Sequence, residues 1–225
     1  LEIALKPGLF DAEGAKVKSQ SRDYFGIKLD EVRLINILTI DAAFSPEQLE
    51  AIRTQIFTNP VIHISSFEPL DIEFDWAIWV GFRPGVRDTA GSTAQEAIED
   101  LLKIRFKNGE GCYTSKLFCI RGKGLKPEEL ELIARESLAN DLIQQWQVFD
   151  RKNKSLRNQV GAKVPRVIIT HTPTVRSFSI DSDRDLLRIS EERNLALNPR
   201  DIPTIREYFL RPEIQAERKK VGLDL

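Results

Sequence analysis

Apolar residues along this chain fall in short runs separated by polar stretches that carry Gly, Pro and Asn. Ile3-Ala4-Leu5 and Ala77-Ile78-Trp79-Val80 are strand-like runs, each stopped by a Pro-Gly pair that favours a turn. Asp11 and Asp88 follow, and each is placed to cap a helix through its carboxylate. Val32–Ile40 and Tyr113–Ile120 are rich in β-formers and predict central strands or a hairpin. Ser45-Pro46-Glu47-Gln48 reads as a capping box with proline in the first turn, and Leu49, Ile52 and Ile56 share one helical face behind it. Asn59 and Asn140 suit the left-handed conformation that closes a helix, and the runs Val61–Ile64 and Leu142–Val148 predict a last strand after each.

These elements occur twice. Lys6-Pro7-Gly8-Leu9-Phe10-Asp11-Ala12-Glu13-Gly14 matches Arg83-Pro84-Gly85-Val86-Arg87-Asp88-Thr89-Ala90-Gly91 at an offset of 77, and both read basic-Pro-Gly-x-x-Asp-x-x-Gly. Pro46–Ile52 matches Pro127–Ile133 at an offset of 81, as Asn59 matches Asn140. The change of offset places four extra residues in the second copy, with the Gly/Asn-rich stretch 107–111 as the expected insertion site. Gly14 and Gly91 fall in a first helical turn, where glycine costs about 1 kcal/mol of helix propensity relative to alanine; their repetition predicts close approach of helix to sheet. The order β-α-β(β)-α-β defines an α+β class with two tandem ferredoxin-like (βαββαβ) units, over residues 1–70 and 71–150, with paired antiparallel sheets. Residues 151–225 then read as a mostly helical linker segment. In it Arg151–Gln159 is polar and basic, Val164–Thr170 is a strand candidate, Asp181-Ser182-Asp183 caps a helix to about Arg193, and Asn198–Asp201 starts another.

The 33 basic and 34 acidic side chains nearly cancel, which argues against a nucleic-acid reader. Hydrophobic residues at 41% and charged residues at 30% are the mix of a globular chain, with no apolar run long enough for a membrane span. Cys112 and Cys119 are seven residues apart, so on a single strand they face opposite sides, and neither a disulfide nor a shared metal site is expected. His63 and His171, the two histidines, lack ligand spacing and read as structural. Asp71, Glu73 and Asp75 read as solvated linker. Arg121-Gly122-Lys123-Gly124 reads as a strand-to-helix turn, too short for a phosphate loop. Trp76 and Trp79 point to opposite faces of one strand, which suits core on one side and either packing or a partner on the other. Lys6 and Arg83 read first as a salt bridge at a sheet edge and second as an anion site. No nucleophile elbow or Cys-His pair is present, so no catalytic residue is assigned. Methionine is absent, even at position 1, which is what a trimmed or otherwise edited chain is expected to show.

Leu5-Lys6-Pro7-Gly8, Asp11 and Gly14, with Asn59-Pro60-Val61-Ile62 closing the unit, resemble the small PurS subunit of phosphoribosylformylglycinamidine synthase. The second copy is less close, with Arg83 in place of lysine and Asn140-Asp141-Leu142-Ile143 at its end. Ile189–Leu197 and Ile205–Phe209 resemble the entry to the linker of the large, PurL-type synthetase subunit. The Ser-x-His-Cys-type segment that follows in that family is not met before Leu225. The resemblance implies a non-catalytic N-terminal assembly module of an ATP- and glutamine-dependent C–N ligase of purine biosynthesis. That enzyme converts formylglycinamide ribonucleotide to formylglycinamidine ribonucleotide. By the same resemblance ATP and Mg²⁺ belong to synthetase domains beyond Leu225, so this chain alone carries no catalytic, cofactor-binding or metal-binding residue and is inactive. The implied partners are those synthetase domains and a glutaminase subunit or domain, in the cytoplasm, with no nucleic acid or membrane. The alternatives are a ferredoxin-like regulatory module binding a small metabolite between the copies, a paralogue with a different substrate, and a pure assembly protein.

Overall fold

The computed structural model describes residues 1–162, 164–167, 178, 180 and 182–223. It divides into two compact units, Leu1–Ile168 and Ile169–Leu225. The first is an α+β body with one six-stranded antiparallel sheet. Its first copy runs β1 (Glu2–Leu5), α1 (Ala12–Phe25), β2 (Glu31–Asp41), α2 (Pro46–Ile52) and β3 (His63–Ser66). The second runs β4 (Trp76–Phe82), α3 (Thr89–Leu102), β5 (Gly111–Arg121), α4 (Pro127–Ile133) and β6 (Gln144–Asp150). Both α2 and α4 continue for one wider π-helical turn, Arg53–Phe57 and Ala134–Leu138. Each copy therefore contributes three strands, not the four of a βαββαβ unit. The stretch considered as a hairpin is a single 11-residue strand in each copy.

The strand order β3-β1-β2-β5-β4-β6 places the two long strands at the centre. β2 and β5 pair along their whole length, from Glu31 opposite Arg121 to Asp41 opposite Gly111. These strands are offset by 80, so the four-residue insertion is divided. Three residues lie in the loop before β5, and the fourth lies between β5 and α4. The enlarged loop is tied down by Glu99, whose carboxylate accepts from Phe106 N at 2.9 Å and pairs with Arg105 Nη1 at 2.6 Å. The Phe106 N–H and then the Arg105 guanidinium hold the Glu99 carboxyl below its ordinary value of 4.5. A depressed folded-state pKa contributes stability that is present above the unfolded value and is lost as pH falls through the folded one. Glu99→Gln is accordingly expected to be less stable than the parent at pH 7, with the gap in urea midpoint closing as pH drops below about 4. A gap independent of pH overturns this assignment.

All four helices of the repeats lie on one face of the sheet. Val17 of α1 and Leu130, Ile133 and Ala134 of α4 pack with Val32, Leu34, Ile78, Val80, Phe118 and Ile120. Ile52 of α2 and Ala94 and Ile98 of α3 pack with Leu38 and Cys112. Each helix pair thus joins one helix from each copy. Burying a side chain such as Ile52, Ile98 or Ile133 contributes about 1.5–3 kcal/mol, which makes the copies interdependent.

The other face packs Ala4, Ile35, Ile37, Ala77, Leu117, Cys119 and Phe149 beneath two covering segments. The first is the connection between copies, where Leu70, Ile72 and Phe74 pack inward while Asp71, Glu73 and Asp75 are exposed. The second is α5 (Lys154–Gln159), with Leu156 and Val160 on the sheet. The polar stretch expected to be linker is therefore a helix docked on the repeat. Its polarity concealed the fact because Arg157, a deeply placed charge in it, is matched by Glu2. No strand forms over residues 164–167; the rest of that strand candidate, to Thr170, lies outside the described residues, as do His171 and Asp181.

The second unit holds α6 (Asp183–Arg193), α7 (Ile202–Leu210) and α8 (Pro212–Lys220). Ser182 caps α6 in a box with Asp185, and Asn194 closes it at φ 53°. Arg206 pairs with Asp183 at 2.9 Å. Among the described residues no helix is long and apolar enough to cross a membrane.

Candidate functional site

The repeated Pro-Gly-x-x-Asp-x-x-Gly motif performs the same task in both copies. Asp11 Oδ1 accepts from Gly14 N at 2.8 Å, and its Oδ2 accepts from Leu34 N at 2.8 Å. Asp88 Oδ1 accepts from Gly91 N at 2.8 Å, and its Oδ2 accepts from Thr114 N at 2.5 Å and from Thr114 Oγ1 at 2.9 Å. One carboxylate thus caps a helix and also satisfies a backbone N–H of the central strand, pinning helix to sheet. The glycines complete the fit. A Cβ on Gly14 would lie 2.1 Å from Val32 O, and one on Gly91 would lie 2.3 Å from Cys112 O. Only a residue without a side chain permits this approach.

Among the described residues the repeated basic residue makes a carbonyl clamp and not the expected salt bridge. Lys6 Nζ donates to Pro60 O at 2.5 Å, and Arg83 Nε donates to Asp141 O at 2.8 Å. Each clamps the carbonyl of the turn that leads into the copy's last strand. Those turns also correct the reading of Asn59 and Asn140, neither of which has positive φ. Asn59 Oδ1 accepts from Val61 N at 2.9 Å, and Asn140 Oδ1 accepts from Leu142 N at 3.0 Å, forming Asx turns. His63 Nδ1 accepts from Asn59 N at 3.2 Å, the place taken by Gln144 Oε1 on Asn140 N in the second copy. Because the turns include Val61-Ile62 and Leu142-Ile143, β3 and β6 begin two residues later than the apolar runs do. Val61 and Leu142 are left 75% and 81% exposed. Phe10, beside the Pro7-Gly8 turn, is 80% exposed.

The remaining candidates are structural in their contacts. Trp76 packs on the helix-covered side and Trp79 on the other. Cys112 and Cys119 lie on opposite faces of β5, free and buried, and burial pushes both thiols up to about 12. Neither is a nucleophile at neutral pH. Arg121–Gly124 is the turn from β5 to α4, with Gly122 N donating to Asp75 Oδ2 at 2.9 Å. Among the described residues, no group of three or more His, Cys, Asp or Glu side chains is placed to hold a metal ion.

The feature that motif reading misses lies on the local two-fold axis. Asn36 and Lys116 stand directly opposite each other in the β2–β5 register. They are also 80 apart, the offset of the two strands, so the axis relating the copies passes between them. Around them, between the helix pairs, a cleft of about 720 Å³ opens. Ile3 and Val80, Asn36 and Lys116, and Phe57 and Leu138 line it as three related pairs. A smaller recess of about 270 Å³, lined by Asp11, Glu13 and His63 among others, is the first copy's counterpart. Lys116 Nζ bonds Glu13 Oε2 at 2.5 Å, an ion pair from α1 of one copy to β5 of the other. The signal in the sequence was the exchange of Glu13 and Val17 for Ala90 and Ala94, but without the register nothing connects those positions to Lys116.

No protein-family model matches the chain. No curated protein matches it either.

Proposed function

We propose that residues 1–150 form a non-catalytic assembly module of a phosphoribosylformylglycinamidine synthase. In this reading they are two shortened ferredoxin-like, PurS-like units that bridge the synthetase and the glutaminase and help keep ammonia out of bulk water. The observation that carries the reading is the union of the two copies into one sheet across Asn36 and Lys116. Separate PurS subunits pair through their sheets, and a tandem copy in one chain replaces that association. The shared use of Asp11 and Asp88 supports a true duplication of one ancestral unit. The apolar corners at Val61-Ile62 and Leu142-Ile143, repeated at opposite edges of the sheet, are the kind of surface that a bridging subunit covers with its partners.

The test uses the natural polypeptide of which this chain is part, assayed for glutamine- and ATP-dependent formation of formylglycinamidine ribonucleotide. Deletion of residues 1–149 is expected to abolish glutamine-dependent turnover and to leave part of the ammonia-dependent turnover. Full glutamine-dependent activity after deletion overturns the bridging role. Absence of the reaction in the undeleted protein overturns the family reading.

A further inference from the structure

We propose that the cleft on the local two-fold axis binds a small organic anion, a molecule with an acidic group and an apolar body. This inference is independent of the assembly reading and concerns a site that the motif comparison leaves unassigned. The cleft of about 720 Å³ lies within the range of roughly 300–1,000 Å³ usual for small-molecule sites. Its apolar wall is Ile3, Leu38, Phe57, Val80, Phe82 and Leu138.

The size of the cleft follows from the sequence once the copies are superposed. Glu13 and Val17 of α1 correspond to Ala90 and Ala94 of α3 at the offset of 77. Two alanines therefore stand where α1 has larger side chains, and the second copy's half opens wide while the first copy's stays at about 270 Å³.

The charge of the lining also has a direction. The ionisable groups lining the cleft are Arg87, Asp88 and Lys116. Asp88 is fully engaged, its oxygens accepting from Gly91 N, Thr114 N and Thr114 Oγ1. Arg87 has no hydrogen-bond or ion-pair partner among the described residues. Among the described residues Lys116 is held by Glu13 alone, in a pair whose side chains are 44% and 56% exposed. What remains for a ligand is positive charge from Lys116 and Arg87, with the Asn36 amide beside Lys116. Glu13 occupies Lys116 with a carboxylate of its own, which is the chemistry that an incoming anion would replace.

The probe for the test is anilinonaphthalene sulfonate, a fluorescent organic anion with an apolar body, titrated into the intact chain. Saturable binding at one site is expected. Lys116→Met should raise Kd by about tenfold or more, as expected for loss of a charge-assisted hydrogen bond. Glu13→Gln should lower Kd, because the internal competitor is removed. Ala90→Phe should abolish binding by filling the cleft, while Lys123→Met, in the exposed β5–α4 turn, should leave Kd unchanged. If Ala90→Phe loses its cooperative thermal transition, the surface substitutions at Lys116 and Glu13 decide the matter. Non-saturable binding, or Kd values indifferent to both of those substitutions, overturns the site. Equal affinity for neutral phenylnaphthylamine overturns the anion requirement.

Discussion

Arg157→Met is expected to lower the free energy of unfolding by about 3–5 kcal/mol, the usual cost of removing one partner of a buried ion pair. Glu2 and Arg157 are only 6% and 9% exposed. Arg157 Nη1 bonds Glu2 Oε1 at 2.5 Å, and Nη2 bonds Glu2 Oε2 at 2.7 Å. The same two side chains hold the connection between the copies, since Leu70 N donates to Glu2 Oε2 at 2.8 Å and Leu70 O accepts from Arg157 Nη2 at 3.1 Å. One cluster therefore fastens β1, the inter-copy connection and α5. Without the guanidinium, Glu2 keeps a buried charge with a single backbone donor. Replacing both residues by leucine should be less damaging than Arg157→Met, because the pair's desolvation penalty disappears with it. Urea unfolding at neutral pH checks both expectations. A loss below about 1 kcal/mol for Arg157→Met would mean that the pair behaves as a solvated surface bridge.

Asp88→Ala is expected to cost about 2–4 kcal/mol, since it removes a helix cap and also orphans the Thr114 backbone N–H. The matching Asp11→Ala should cost less, because Asp11 is half-buried and water can replace its bonds, whereas Asp88 is buried. Thermal or urea unfolding compares the two variants, since both carboxylates cap a helix and hold a strand N–H, while Asp88 alone of the two also accepts from a hydroxyl, Thr114 Oγ1. Equal losses would show that neither burial nor the Thr114 hydroxyl sets a difference. Asp88→Asn, which keeps an acceptor for Gly91 N, should fall between Asp88→Ala and the parent.

Much of the fold was legible in the chain because local rules and tertiary needs agree there. Asp11 and Asp88 cap helices, Ser45 and Gln48 form the capping box, and Gly14 and Gly91 sit where a helix meets a strand. The misreadings come from positions where a local preference met a tertiary bond. Lys6 and Arg83 bind carbonyls and, among the described residues, form no ion pair. Asn59 and Asn140 use their side chains to build a turn, so they have no need of a left-handed backbone. Arg157 sat in a run whose polarity suggested solvent, and Glu2, 155 residues away, together with Leu70 O makes its burial tolerable.

The candidate cleft was not legible at all. Only its Arg87–Ala90 edge falls within the repeated motif, where Asp88 reads as a helix cap, and Asn36 and Lys116 are unremarkable where they stand in the chain. They become a site because β2 and β5 pair in a register that sets Asn36 against Lys116 and brings Glu13 of the first copy over β5 of the second. Sequence alone determined the duplication, the order of elements within each copy and the N-terminal caps at Asp11, Ser45 and Asp88, since those are legible in residues a few positions apart. Tertiary structure alone decided the single continuous sheet, the crossed helix pairs, the covered second face and the cleft. Each of these depends on which apolar surfaces meet, and burial is non-directional: it drives association without naming the partner.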